Sequence, residues 1–230
     1  MNGNHRYLPF LAGLFTASLL ISNTISSKVF TYGPVTLPAG IILIPFSYVF
    51  GDLLTEVYGY SASRKVIWSG VVALVLMVLS YLVADILTPA DFWHHQRDFH
   101  EILAPVPRIA LASVTALFVG EFTNSYVLAK MKVRYDGRYL PARYVASTVV
   151  GQAVDTIAFS SVAFVGIFPT VEILRLGLWG WGVKIAWELI ALPGSLLLTK
   201  WLKEAEQVDF FDHSTNFNPF VLETDSKRSL

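Results

Sequence analysis

Six apolar stretches, near residues 7–27, 37–57, 66–87, 108–130, 144–168 and 181–201, take up most of this chain. Each runs close to the about 20 residues that a helix needs to cross the hydrocarbon core of a bilayer. The connections are short, so the pattern predicts six spanning helices with antiparallel, directly packed neighbours: an all-α polytopic membrane protein. Residues 1–6 then form a short N-terminal segment, 7–203 the six-helix body, and 204–230 a polar, mobile tail whose Asn216-Phe217-Asn218-Pro219-Phe220 could dock on the body. Pro45 and Pro193 fall inside apolar stretches, where a missing backbone donor should kink the helix and free carbonyls to line a cavity.

The stretches are interrupted by groups that hydrocarbon rejects. Asp52, Glu121, Asp155, Lys184 and Glu188 all sit inside them. An ionisable side chain at membrane depth costs several kcal/mol unless it is paired or faces a cavity. Asp52 and Glu56 are four apart and share a helix face, as do Lys184 and Glu188. Glu56 reads as a solvated helix-end charge, paired with Arg64 or Lys65, or as a coupling group. Lys184 either neutralises Glu188 or balances a carboxylate on another helix. Gly51-Asp52-Leu53-Leu54-Thr55, Gly120-Glu121-Phe122-Thr123-Asn124 and Gly151-Gln152-Ala153-Val154-Asp155 each place a glycine before a polar residue. Such a glycine lets a neighbouring helix or a solute come close to the backbone. Thr55, Asn124 and Thr156 serve equally well as hydrogen-bonding glue between helices. Asn23, in Ser22-Asn23-Thr24 of the first stretch, can read a solute or cap a backbone.

Composition narrows the class. The chain is 54% hydrophobic with mean hydropathy +0.54, and its 15% charged residues fall well below the about 25% of a soluble domain. Net charge is zero, so bulk charge offers nucleic acid nothing. With no cysteine, disulfides, thiolate metal sites and a cysteine nucleophile are excluded. His94, His95 and His100 lack metalloprotease spacing, and neither a Walker-type loop nor a Gly-x-Ser-x-Gly elbow occurs. No metal, cofactor or catalytic residue is expected.

Charge also sets orientation. With six spans, twelve Lys and Arg fall on the side of the termini: Arg6, Arg64, Lys65, Lys130, Lys132, Arg134, Arg138, Arg143, Lys200, Lys203, Lys227 and Arg228. Only Lys28, Arg97, Arg108 and Arg175 fall on the other. The positive-inside rule places both termini in the cytoplasm. Tyr7, Tyr48, Tyr58, Tyr60, Trp68, Tyr144, Trp179, Trp181 and Trp201 lie near span ends and read as interfacial anchors. In the outward loop 88–107, Thr88-Pro89-Ala90-Asp91 reads as the start of a short helix lying on the membrane surface.

The block Gly51-Asp52-Leu53-Leu54-Thr55-Glu56-Val57-Tyr58-Gly59-Tyr60, followed by Ser63-Arg64-Lys65, resembles the second-span signature of the queuosine precursor transporter family, also called the vitamin uptake transporter-like family. Ile21-Ser22-Asn23, Gly151-Gln152-Ala153-Val154-Asp155-Thr156-Ile157-Ala158-Phe159, and Lys184 with Pro193 agree in order, over roughly residues 10 to 200. The resemblance implies a bacterial inner-membrane importer of 7-cyano-7-deazaguanine or 7-aminomethyl-7-deazaguanine, salvaged for queuosine in tRNA. On that reading Asn23, Asp52, Glu121, Gln152, Asp155 and Lys184 bind the base, with Asp52 or Asp155 accepting its donor edge and Lys184 balancing charge or meeting its carbonyl. Glu56 and Glu188 balance charge or couple transport. Small residues on the spans would permit a homodimer without demanding one. Two other readings stay open: a substrate-binding subunit that borrows an ATP-driven module, and a membrane-embedded enzyme acting on a lipid.

Overall fold

The structure is a computed structural model describing residues 5–32, 35–103, 106–166 and 169–221. Among these described residues seven α-helices follow in order: α1 (Leu8–Ile25), α2 (Ile44–Tyr58), α3 (Tyr60–Ile86), α4 (Gln96–Leu103), α5 (Val106–Arg134), α6 (Leu140–Phe164) and α7 (Thr170–Glu206). Four of them, α1, α3, α6 and α7, are long and apolar enough to cross a membrane. The outward faces of α3 and α7 carry Val72, Leu76, Val83, Ile86, Ile190 and Leu197, all exposed. Such faces suit lipid and would be a liability in water.

The second apolar stretch does not begin as a helix. Strands β1 (Val29–Tyr32) and β2 (Val35–Pro38) pair antiparallel, Val29 opposite Pro38, and a 3-10 turn (Ala39–Ile42) leads into α2. β-branched and aromatic residues around the turn-favouring Gly33-Pro34 explain why the period switches to that of a strand. Pro45 therefore occupies the first turn of α2, where its missing donor costs nothing. Pro193 lies inside a helix that continues through it, and α7 reaches 37 residues, well past the stretch expected from hydropathy. The short helix of the outward loop starts at Gln96 rather than near Pro89. The expected end of the fifth stretch, Phe168, and the tail beyond residue 221 lie outside the described residues.

α2 and α3 meet at Gly59 with no loop between them. Its φ of +83° is a conformation that side chains avoid, and a Cβ there would run into the Phe210 ring. Leu11, Phe15 and Leu19 of α1 pack with Leu53, Leu54 and Val57 of α2, Val71 and Leu74 of α3, and Leu117 of α5 in the main core. α5 and α6 pack most extensively of all the helix pairs. The two approach through glycines: a Cβ on Gly120 would lie 2.7 Å from the Asp155 Cβ, and one on Gly151 would lie 2.8 Å from the Asn124 Cβ. Gly120 with Asn124 thus interlocks with Asp155 and Gly151 across the antiparallel pair.

One end of the bundle gathers the start of α1, the end of α2, the start of α3, the ends of α5 and α7, and the start of α6. Glu206 accepts hydrogen bonds from the backbone N–H of Tyr7 (2.5 Å) and of Arg6 (3.2 Å) and from the Tyr58 hydroxyl (2.9 Å). Residues 208–221 then fold back along α3 and α5. The expected mobile tail is instead docked in its described part, held by hydrogen bonds to Val57, Tyr60, Arg64 and Trp68.

Candidate functional site

α2, α5, α6 and α7 each turn a polar face toward the same buried region. Asp52 (α2), Asn124 (α5) and Gln152 (α6) are 0% exposed, Glu121 and Glu188 2%. The Asn124 Nδ2 donates to Asp52 Oδ1 at 2.7 Å. A Cβ on Gly51 would lie 2.7 Å from Glu121 Oε2, which places that carboxylate against the α2 backbone. Glu188 interacts electrostatically with both Asp52 and Glu121, and the Tyr48 phenol with Asp155, Glu121 and Gln152.

Within this cluster Asp52 Oδ2, Asn124 Oδ1, Glu121 Oε2, Glu188 Oε1 and both amide atoms of Gln152 have no hydrogen-bond partner among the described residues. Each unsatisfied buried group costs about 1–3 kcal/mol, more when charged. Native interiors hold few such atoms, and a concentration of them on four facing helices calls for a physical explanation. The set contains acceptors, from the carboxylates and amide oxygens, and donors, from Gln152. That is the equipment to bind a polar solute that carries both donors and acceptors.

Asp155 and Lys184 sit beside this set as an ion pair between α6 and α7, with side chains 10% and 15% exposed. Lys184 therefore balances a carboxylate on another helix, and the alternative pairing with Glu188 is not made. Glu56 is not a solvated charge and does not pair with Arg64 or Lys65. It is fully buried, with Arg143 Nη1 at 2.5 Å, Arg143 Nη2 at 3.0 Å and Lys203 Nζ at 2.7 Å. Lys132 Nζ lies 3.6 Å from its carboxylate and donates to its carbonyl oxygen at 2.5 Å. Lys132 and Lys203 both also hold Asp209, just beyond α7. Partial burial would raise the Asp209 carboxyl, but the hydrogen bonds and charges of the two lysines outweigh it and hold it below its ordinary value. This network ties four helices together one turn from Asp52.

Thr55 behaves as glue, bonding Gly51 O and Ser125 Oγ, both at 3.0 Å. The buried Thr156 hydroxyl has no partner among the described residues. Asn23 donates to Leu19 O of its own helix at 3.0 Å, and among the described residues no hydrogen bond joins it to the cluster. Tyr48, Tyr58, Tyr60 and Tyr144 are buried rather than interfacial, whereas Trp179 and Trp201 are exposed as anchors should be. Asn124 and Tyr48 also belong to this buried region. Their spacings, three after Glu121 and four before Asp52, were the available signal. Among the described residues no group of three His, Asp or Glu could hold a metal ion.

A largely helical chain with several spanning helices around a buried cluster of polar groups is of the class of multi-pass membrane proteins that handle polar solutes. The chain belongs to the putative vitamin uptake transporter family, whose model matches residues 38–198. This is a family of transporters, not of enzymes. A probable queuosine precursor transporter of Bacillus subtilis (strain 168) is 31% identical over 159 residues, covering 68% of this chain and 69% of that protein. One of Haemophilus influenzae is 30% identical over 128 residues, 54% of this chain and 51% of that one. The queuosine precursor transporter of Escherichia coli (strain K12) is 26% identical over 125 residues, 54% of each. No solved structure matches the chain significantly.

Proposed function

We propose that this protein imports a queuosine precursor of the 7-deazaguanine class across a bacterial inner membrane, through six spans with both termini in the cytoplasm. The names of the three relatives support a queuosine precursor, and the family resemblance of the sequence implies the 7-deazaguanine class. Two further crossings are assigned to α5, with its 29 residues, and to α2 joined with the preceding 3-10 turn. The latter runs from Ala39 to Tyr58, about the 20 residues a span needs. The cytoplasmic assignment rests on the cations gathered at the end of the bundle where Glu206 meets Tyr7: Arg64, Lys132, Arg143 and Lys203.

The observation that carries the reading is the set of unpartnered polar atoms on Asp52, Glu121, Asn124 and Gln152. A 7-deazaguanine offers adjacent N–H donors on its pairing edge and a carbonyl beside them. Asp52 Oδ2 and Glu121 Oε2 are the free acceptors for the donors, and the Gln152 amide can donate to the carbonyl. Tyr48 offers an aromatic ring next to this set, and base stacking contributes about 1–3 kcal/mol per base in nucleic-acid proteins. Asp155 and Lys184, already paired with one another, border the site and hold its charge in balance. Asn23 is left out of the reading.

The test is uptake of 7-cyano- and 7-aminomethyl-7-deazaguanine, read by mass spectrometry, in cells that lack their own salvage transporter. Uptake that appears with this protein and resists excess guanine is expected. No uptake with the protein present in the membrane overturns the substrate, and uptake only alongside a co-purifying ATPase would make the chain a binding subunit instead.

A further inference from the structure

The transport site makes no use of residues 208–221, which also lie outside the stretch matched by the family. Yet this segment is bound in detail. Asp212 is 3% exposed, and both its carboxylate oxygens accept from the Tyr60 backbone N–H, at 3.2 and 3.1 Å. That N–H begins α3, a helix with no side-chain cap of its own, so the acid stabilises the helix start from a distance in sequence. From there the segment runs along α3, whose Tyr60, Arg64 and Trp68 stand one turn apart. The Tyr60 hydroxyl donates to Phe217 O at 3.1 Å, and Arg64 Nη1 to Asn216 O and Asn218 O at 2.7 and 2.8 Å. Trp68 Nε1 donates to Pro219 O at 2.8 Å. Phe217 packs on Tyr126 of α5 (5.1 Å between ring centres), and Phe220 packs on Phe118 (5.8 Å).

The same segment grips two more helices. The Phe210 N–H donates to Val57 O at the end of α2, and Asp209 pairs with Lys203 of α7. Lys132 of α5 donates to Asp209, to Phe210 O and to Glu56 O. One cation thus holds both the strap and the last turn of α2, and Asp52 is one turn earlier on that helix. A solute leaving the buried cluster toward this end must part helices that the strap joins.

We propose that residues 208–221 form a cytoplasmic latch, and that transport requires this strap to let go of α3 and α5. The proposal rests on the transport reading, and its test separates the two. The chain has no cysteine, so introduced thiols are unique. Cysteines replacing Phe217 and Tyr126 can be bridged by a short, reducible bifunctional thiol reagent in the purified protein before reconstitution. Bridging is expected to abolish uptake of the base, because a covalent link forbids release of the strap whatever the strength of the native contacts, and reductant to restore it. Bridged protein that transports as fast as unbridged protein overturns the latch.

If neither wild-type nor unbridged protein takes up the base, the transport reading fails and the latch is judged on accessibility. Ser125 is fully buried and bonds Ser63 on α3 at 3.1 Å, at the level the strap crosses. Maleimide labelling of the S125C protein is expected to speed up when Phe217→Ala and Phe220→Ala free the strap. An unchanged labelling rate, with the protein still folded by its melting curve, overturns the proposal.

Discussion

Replacing Lys184 by methionine tests how the buried cluster is held. Lys184 and Asp155 form the ion pair between α7 and α6, with 15% and 10% of their side chains exposed. Removing one member of a buried pair strands the other, at about 3–5 kcal/mol, whereas removing both at once is often neutral. For a chain of this length about 1 kcal/mol moves the melting temperature by roughly 2–4 °C, so Lys184→Met alone should lower it by about 6–20 °C. The double variant D155N/K184M should return close to wild type. Fluorescence-detected unfolding in detergent reads the stability, and titration with the deazaguanine reads the site. We expect the double variant to recover both. Recovery of melting without recovery of binding would move one of these residues from the border of the site into contact with the base. An unchanged melting temperature in K184M would refute the buried pair itself.

Gly120→Ala and Gly151→Ala place a methyl group 2.7 Å from the Asp155 Cβ and 2.8 Å from the Asn124 Cβ. Overpacking of this kind costs about 1–3 kcal/mol, so both should melt lower, and serine at either position should be no better. Glu56→Gln leaves Arg143, Lys132 and Lys203 without their shared acid. Breaking a buried network of this kind costs about 3–5 kcal/mol, which should show as poor membrane yield or early unfolding. Asp209 is held below its ordinary value by Lys132 and Lys203. A depressed acid stabilises the docked strap above its unfolded value, near pH 4, and loses that contribution as pH falls through its folded value. Proteolysis of the strap should therefore accelerate below about pH 4, and Asp209→Asn should raise the rate at neutral pH and flatten the profile.

Much of the architecture is written in hydropathy. The ends of α1, α3 and α6 fall within a few residues of the apolar stretches, apart from a start of α3 carried back to Tyr60, because burial in lipid demands a continuous apolar surface. The hairpin of β1 and β2 was hidden because Val, Phe, Thr and Tyr are as apolar in a strand as in a span, so hydropathy alone cannot tell the period. α7 outran its stretch because Glu172 and Arg175 lower the hydropathy of its first turns without breaking the helix, and they pair with one another at 3.1 Å. Asp52, Glu121 and Gln152 were legible as polar intrusions, and the structure brings them together. Partners were not legible. Lys184 chose Asp155 over Glu188, and Glu56 chose Arg143 and Lys203 over Arg64, because ion pairs form between helices whose approach depends on the whole packing. That Asn216-Phe217-Asn218-Pro219-Phe220 could dock was legible, but where it docks was not, since four of its bonds run from side chains of α3 to backbone carbonyls that any sequence would offer.

The central claim is that Asp52, with its neighbours on α5 and α6, reads the base. The most direct measurement is calorimetric titration of 7-aminomethyl- and 7-cyano-7-deazaguanine into purified wild-type protein and Asp52→Asn. A hydrogen bond to a charged group is worth about 1.5–3 kcal/mol. We therefore predict saturable binding to wild type and an affinity about 10- to 100-fold weaker in the variant, with its melting temperature within a few degrees of wild type. Equal affinities in the two proteins, or no binding to a folded wild type, would contradict the account.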